Sequence, residues 1–119
     1  MVGRPLVARI RGADAPSVGI LSTFPPTECG IATFSAALAS GLVGQGATVD
    51  VVRCGDSEDF EDPLVVASTG AGGPRGVRAA VDALNDVDVA IVQHEYGIYG
   101  GLDGDDVVDV LRALSVPSI

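Results

Sequence analysis

Two side chains in this sequence are nucleophilic or basic enough, and well enough placed, to suggest chemistry: the thiol of Cys29 and the imidazole of His94, the only histidine. A thiol set just before a helix sits in the positive end of the backbone dipole, which favours the thiolate. A histidine brought to the same place would complete a nucleophile and base pair. Nothing at a recognisable position supplies the third group that would orient such a pair, and a partly buried, inert thiol is the simpler reading of Cys29. His94 has more around it. It heads the run His94-Glu95-Tyr96-Gly97-Ile98-Tyr99-Gly100-Gly101-Leu102-Asp103-Gly104, with two tyrosines and four glycines. Hydroxyl-bearing rings and an imidazole suit a polyhydroxylated ligand, which needs flat apolar faces and several hydrogen-bond partners. Glycines let backbone approach such a ligand closely. We read this run as a functional loop.

A second loop carries a different chemistry. Ser22-Thr23-Phe24-Pro25-Pro26-Thr27-Glu28-Cys29-Gly30-Ile31-Ala32-Thr33-Phe34 follows the apolar run Val18-Gly19-Ile20-Leu21 and enters an amphipathic segment, running to about Val43, through Gly30. The unpaired N–H groups of a first helical turn, at the positive end of the helix dipole, form an anion site. The better-known phosphate loops are excluded. No Gly-x-Gly-x-x-Gly follows the first strand, and a P-loop needs a lysine that this chain does not contain. A Cys-x5-Arg loop fails because Ser35 stands where arginine is required. The acidic run Asp56-Ser57-Glu58-Asp59-Phe60-Glu61-Asp62 lacks the glycine and terminal glutamate of a calcium loop and reads as a solvated connector. We expect no bound metal.

The elements that position these loops follow from apolar periodicity. Strands are expected at 17–22, 48–53, 63–68 and 88–93, with a fifth beginning at 116–119. Helices are expected at 30–43, where Ile31, Phe34, Leu38 and Leu42 fall at helical spacing, around Val77, Ala80, Val81 and Leu84, and at 103–114. Gly44 and Gly46 supply a helix stop, and the run Gly70–Gly73 reads as flexible. Asp103, Asp105 and Asp106 lie at the positive end of the last helix and Arg112 at its negative end. Alternating strands and helices imply an α/β fold, a Rossmann-like parallel sheet with helices on both faces. In such sheets ligands bind beyond the carboxyl ends of the strands, where the strand order reverses. The loops after strands one and four should flank that crevice, and they are the two unusual loops.

Composition bounds the partners. The chain has 119 residues, 47% of them hydrophobic, enough for the core of one domain or of part of one. Seven basic residues, all arginine, against 16 acidic ones give a net charge of −9, which repels nucleic acid and anionic membranes. No apolar stretch is long enough for an integral membrane segment. Residues 1–16 carry Arg4, Arg9 and Arg11 without a continuous apolar stretch, so they read as a loose tail rather than a secretion signal. Cys29 and Cys54 fit no metal or disulfide pattern, which favours a cytoplasmic protein. A chain ending as a core strand begins is expected to be a fragment of something longer.

With both loops on the page, residues 17–119 resemble the N-terminal half of GT-B glycosyltransferases of retaining family 4. The match is to a subgroup whose first loop reads close to TFPPxxCGIATF and whose later loop reads QHEYGIFGG. Here these are Thr23–Phe34 and Gln93–Gly101, with Tyr99 in place of phenylalanine, a change conservative in shape. The resemblance implies one of two Rossmann-like domains facing each other across a cleft. It implies transfer of a sugar, with retention, from a nucleotide-sugar to an acceptor hydroxyl. No cofactor is implied beyond that donor substrate, and generally no metal. By match to the glycine loop, Gly30 and Ile31 would lie near the donor diphosphate. His94 would lie at the reacting centre, bonded to a sugar hydroxyl, and Glu28, Glu95 and Tyr96 would be further substrate contacts. The C-terminal domain, with most nucleotide contacts and the paired glutamates of an E-x7-E motif, is missing here, so this chain alone is expected to be inactive. Two other classes remain open: a non-catalytic flavodoxin-like binding domain, and a small hydrolase using Cys29 and His94.

Overall fold

The computed structural model describes residues 15–55, 62–94, 98–101 and 104–119. In chain order they form β1 (Ser17–Ser22), α1 (Gly30–Gly44), β2 (Thr48–Arg53), β3 (Val65–Ser68), α2 (Gly73–Leu84), β4 (Val89–Val92) and α3 (Asp106–Ala113). The four strands make one sheet in the order β3-β2-β1-β4, and every pairing is parallel. The expected α/β, Rossmann-like architecture is therefore the one observed.

The sheet is buried on both faces, so its strands read as continuous apolar runs rather than alternating ones. Val18, Ile20, Val49, Val51 and Val65 pack with Phe24 and Ala39 on the α1 side. Leu21, Val52 and Ala90 pack with Ala80, Leu84, Val107 and Val110 on the side of α2 and α3. The reversal in strand order explains this division. The chain moves from β1 outward to β2 and β3, then returns past β1 to β4. Right-handed crossovers travelling in opposite directions place their helices on opposite faces.

Several element boundaries and one helix face differ from the sequence expectation. The third strand begins at Val65, not Pro63, because the Asp62 carboxylate accepts the Leu64 N–H at 2.9 Å and turns the chain before the ladder starts. The fourth strand is a residue shorter at each end, and Asp88 instead joins a reciprocal pair with Ser17. Its carboxylate accepts the Ser17 N–H and its own N–H reaches the Ser17 hydroxyl, both at 2.9 Å. In α1 the buried residues are Ala32, Ser35 and Ala39, while Phe34 is 58% exposed. Small side chains let the helix lie close to the sheet, and the buried Ser22 and Ser35 hydroxyls, 2.7 Å apart, hold that face inward. Gly46, at φ +96°, ends α1 as a left-handed residue, with the Ala47 N–H bonded back to the Leu42 carbonyl.

The run Gly70–Gly73, expected to be flexible, is a defined turn in which the Gly72 N–H donates to the Thr69 carbonyl at 3.0 Å. The last helix starts at Asp106 and stops at Ala113, since Leu114 is already extended; Asp103 lies outside the described residues. The chain after α3 does return to the sheet. Ser118 bridges Ala90 in parallel, and Ile119 exchanges backbone bonds of 2.9 and 2.8 Å with Ala90 and Val92. Of the expected tail, residues 1–14 lie outside the described residues, but the Pro16 carbonyl already accepts the Thr48 N–H at 2.9 Å. Among the described residues no helix is long and apolar enough to cross a membrane.

Candidate functional site

β1 and β4 are neighbours and parallel, with Leu21 opposite Val92, so their following loops leave the same rim of the sheet side by side. The Gln93 N–H donates to the Leu21 carbonyl at 3.0 Å, carrying the pairing to the last residue before His94. Strand order reverses between these two strands, which makes this rim the switch point at which open α/β sheets bind ligands.

The loop after β1 is built around a buried guanidinium. Arg53, at the end of β2 and 5% exposed, donates through Nε to the Phe24 carbonyl at 3.1 Å and through Nη2 to the Thr27 hydroxyl at 2.6 Å. Phe24 is itself buried, and the Thr27 N–H closes a turn onto its carbonyl at 3.0 Å across the cis Pro25–Pro26 peptide. The loop is thus pinned from below by β2 while Pro25, Pro26 and Glu28 face solvent. Cys29 is the N-cap of α1. Its sulfur accepts the Ala32 N–H at 3.4 Å and lies 3.2 Å from the Thr23 hydroxyl. This is the work serine or aspartate does at most helix starts. Gly30 is exposed and Ile31 half-buried, and among the described residues no acceptor takes their N–H groups. The first turn of α1, where an anion site was expected, is open to solvent.

The loop after β4 presents His94, which is exposed and stacked on the Tyr99 ring with centroids 5.9 Å apart and planes inclined by 21°. Tyr99 corrects the expectation that both tyrosines of this loop serve a ligand. It is buried, its hydroxyl donates to the Gln93 carbonyl, and it bonds the Cys54 thiol. Burial pushes the Cys54 thiol up to about 12, against the opposing effect of its Tyr99 hydrogen bond. Burial also raises the Tyr99 hydroxyl, and the neighbouring Cys54 raises it further. Both groups are neutral at ordinary pH, and Cys54 is an inert core thiol. Tyr99 is therefore a prop that fixes the strand end and backs the imidazole. Glu95 and Tyr96, expected as substrate contacts, lie outside the described residues.

Beside this loop, Gly100 packs on Gly72 with no room for side chains. A Cβ on Gly100 would come within 3.2 Å of the Gly72 Cα and within 2.6 Å of an Asp106 oxygen. Gly72 also needs its glycine for φ +86°. The Asp106 carboxylate accepts the Gly73 N–H at 2.8 Å, capping α2, whose own N-cap Gly72 has no side chain to offer. Asp106 was expected only as a charge at the start of its own helix. It locks the glycine loops together.

Two of these residues, Arg53 and Asp106, were missed by sequence reasoning. An arginine at the end of a core strand, directly after the apolar pair Val51 and Val52, is the one signal that pointed to the first; nothing in the sequence pairs Asp106 with Gly73. Among the described residues no group of three histidine, cysteine, aspartate or glutamate side chains could hold a metal ion. Comparison with protein-family models, with curated proteins and with solved structures finds no match to this chain.

Proposed function

We propose that this chain is part of the N-terminal domain of a retaining glycosyltransferase of GT-B architecture, acting in the cytoplasm and completed by a second, donor-binding domain. The observation that carries the reading is that an open helix N-terminus, at Gly30 and Ile31, and an exposed histidine, His94, follow two neighbouring parallel strands at one rim of the sheet, at the switch point. In this reading the N–H groups of Gly30 and Ile31 stabilise charge developing on the departing diphosphate, as preorganised dipoles do. His94, held by Tyr99, bonds a hydroxyl of the transferred sugar near the reacting carbon. Glu28, Glu95 and Tyr96 contact the acceptor or donor from the same two loops. The chain by itself turns nothing over, because the second half of the donor site comes from the partner domain.

The test is sugar transfer by the protein carrying its partner domain. His94→Ala should lower kcat by about two orders of magnitude, the scale of one transition-state contact, with Tm unchanged. An unchanged kcat removes His94 from the site, and transfer by residues 1–119 alone overturns the two-domain reading.

A further inference from the structure

Of the described helices, α1 is the one without a charged side chain. α2 turns Arg75, Arg78 and Asp82 to solvent and α3 turns Asp109 and Arg112, the usual arrangement for a helix with one face on a sheet. At about 3.6 residues per turn, the buried Ala32, Ser35 and Ala39 set the sheet-facing side of α1. Phe34, Ala37, Gly41 and Gly44 fall opposite, with Thr33 and Ser40 beside them, and all six are exposed, Phe34 by 58%. A helix with no charged face is one that neighbours cover on every side. A bilayer does not supply that cover. The 15 residues of α1 span about 22 Å, short of the ~30 Å of a hydrocarbon core. The face also lacks the lysines and arginines that hold a helix on a lipid surface.

We infer that this face is a self-association site, through which two copies of the chain pair antiparallel about a two-fold axis beside Ala37. Phe34 and Gly41 lie two turns apart on one line of the helix, on either side of Ala37. An antiparallel pair therefore lays Phe34 of each copy over Gly41 of the other, the reciprocal contact that a two-fold interface requires. Nothing stands within 4 Å of where a Cβ would sit on Gly41 or Gly44, which leaves an open seat for the ring and lets the backbones approach. Charge selects the occupant. Each copy carries a net −9, so two copies repel wherever acidic surfaces meet, and the uncharged face of α1 is where they come together at least cost. A basic partner would find no carboxylate on this face to pair with. One helix pair is a small interface, so the dimer is weak and reversible. The inference goes beyond the sugar-transfer reading and does not depend on it.

Sedimentation equilibrium of the chain, from micromolar to millimolar concentration, tests it. A monomer–dimer equilibrium is expected, and it should tighten as sodium chloride is raised. Salt screens the repulsion between two copies of charge −9, while no ion pair crosses the proposed interface to be weakened. Phe34→Ala removes an anchor from each copy, and Ala37→Glu sets two carboxylates against each other near the axis. Each should weaken association more than about tenfold. Both positions are exposed, and circular dichroism at dilution reports whether each variant is folded. If either does not fold, Gly41→Ala decides, because alanine favours the lone helix yet fills the seat of the ring, so the monomer gains stability while the dimer is weakened. A chain that stays monomeric at millimolar concentration, an association that loosens with salt, or one that a folded variant leaves unchanged overturns the inference. Binding of the monomer to phosphatidylcholine vesicles in place of dimerisation assigns the face to lipid and overturns it as well.

Discussion

Tyr99 donates its hydroxyl to the carbonyl of Gln93, the residue before the histidine its ring stacks on. One side chain thus fixes both the end of β4 and the face of His94 turned away from solvent. The phenylalanine of the resembling subgroup would keep the stack and lose the bond. Tyr99→Phe should lower stability by about 1 kcal/mol, the usual net worth of such a bond, read as a lower urea midpoint at unchanged slope. A midpoint equal to wild type would show that the hydroxyl bond contributes nothing.

Two glycines in helices should respond in opposite directions to alanine. A Cβ on Gly76 would stand 2.3 Å from the Thr69 carbonyl oxygen, where α2 presses on the end of β3. Gly76→Ala should cost more than about 2 kcal/mol through overpacking. Gly41, exposed in α1 with nothing within 4 Å of its Cβ position, should gain about 0.5–1 kcal/mol as alanine. Thermal unfolding of the two variants checks both signs, and a stabilised Gly76→Ala would contradict the close contact of α2 with Thr69.

Asp106→Ala should destabilise by about 1–2 kcal/mol, the worth of a helix cap, because the Gly73 N–H loses its acceptor. Asp106→Asn keeps an acceptor oxygen and should cost less. Hydrogen exchange at Gly73 distinguishes a lost cap from general loosening: its amide should lose protection in the alanine variant before those in the middle of α2. Equal effects of the two substitutions would exclude the cap as the cause.

Alkaline pH should unfold the protein through Cys54 and Tyr99. Burial holds Cys54 protonated up to about 12, while the unfolded thiol ionises near 9.0. Between those values the unfolded state binds fewer protons than the native one, so stability falls as pH rises, by up to about 1.4 kcal/mol per pH unit for each such group. The contribution is intact below pH 9, and Tyr99 adds to the loss at higher pH. Cys54→Ala should flatten the decline between pH 9 and 11 in urea unfolding. An equally steep decline in that variant would assign the loss elsewhere.

The sheet, its order-reversing strand and the two rim loops were legible because continuous apolar strands and interrupting glycines follow directly from burial on two faces. The core-facing side of α1 was not. That helix carries no charged residue, so periodicity offered no polar face to oppose, and the choice fell to Ser35 bonding Ser22 inside the core. The roles of Arg53, Asp106 and Tyr99 were equally hidden, since each acts on a residue distant in sequence or on backbone atoms that have no letter of their own.

Whether the two rim loops serve one ligand is most directly tested by amide shifts in the ¹⁵N-labelled chain on addition of UDP-glucose or GDP-mannose at millimolar concentration. Gly30, Ile31 and His94 should move together along a single binding curve with one of these donors. Shifts confined to one loop, curves with different dissociation constants, or a response centred on the groove between α2 and α3 at Val77, Val81 and Ala113 would contradict a shared sugar-nucleotide site.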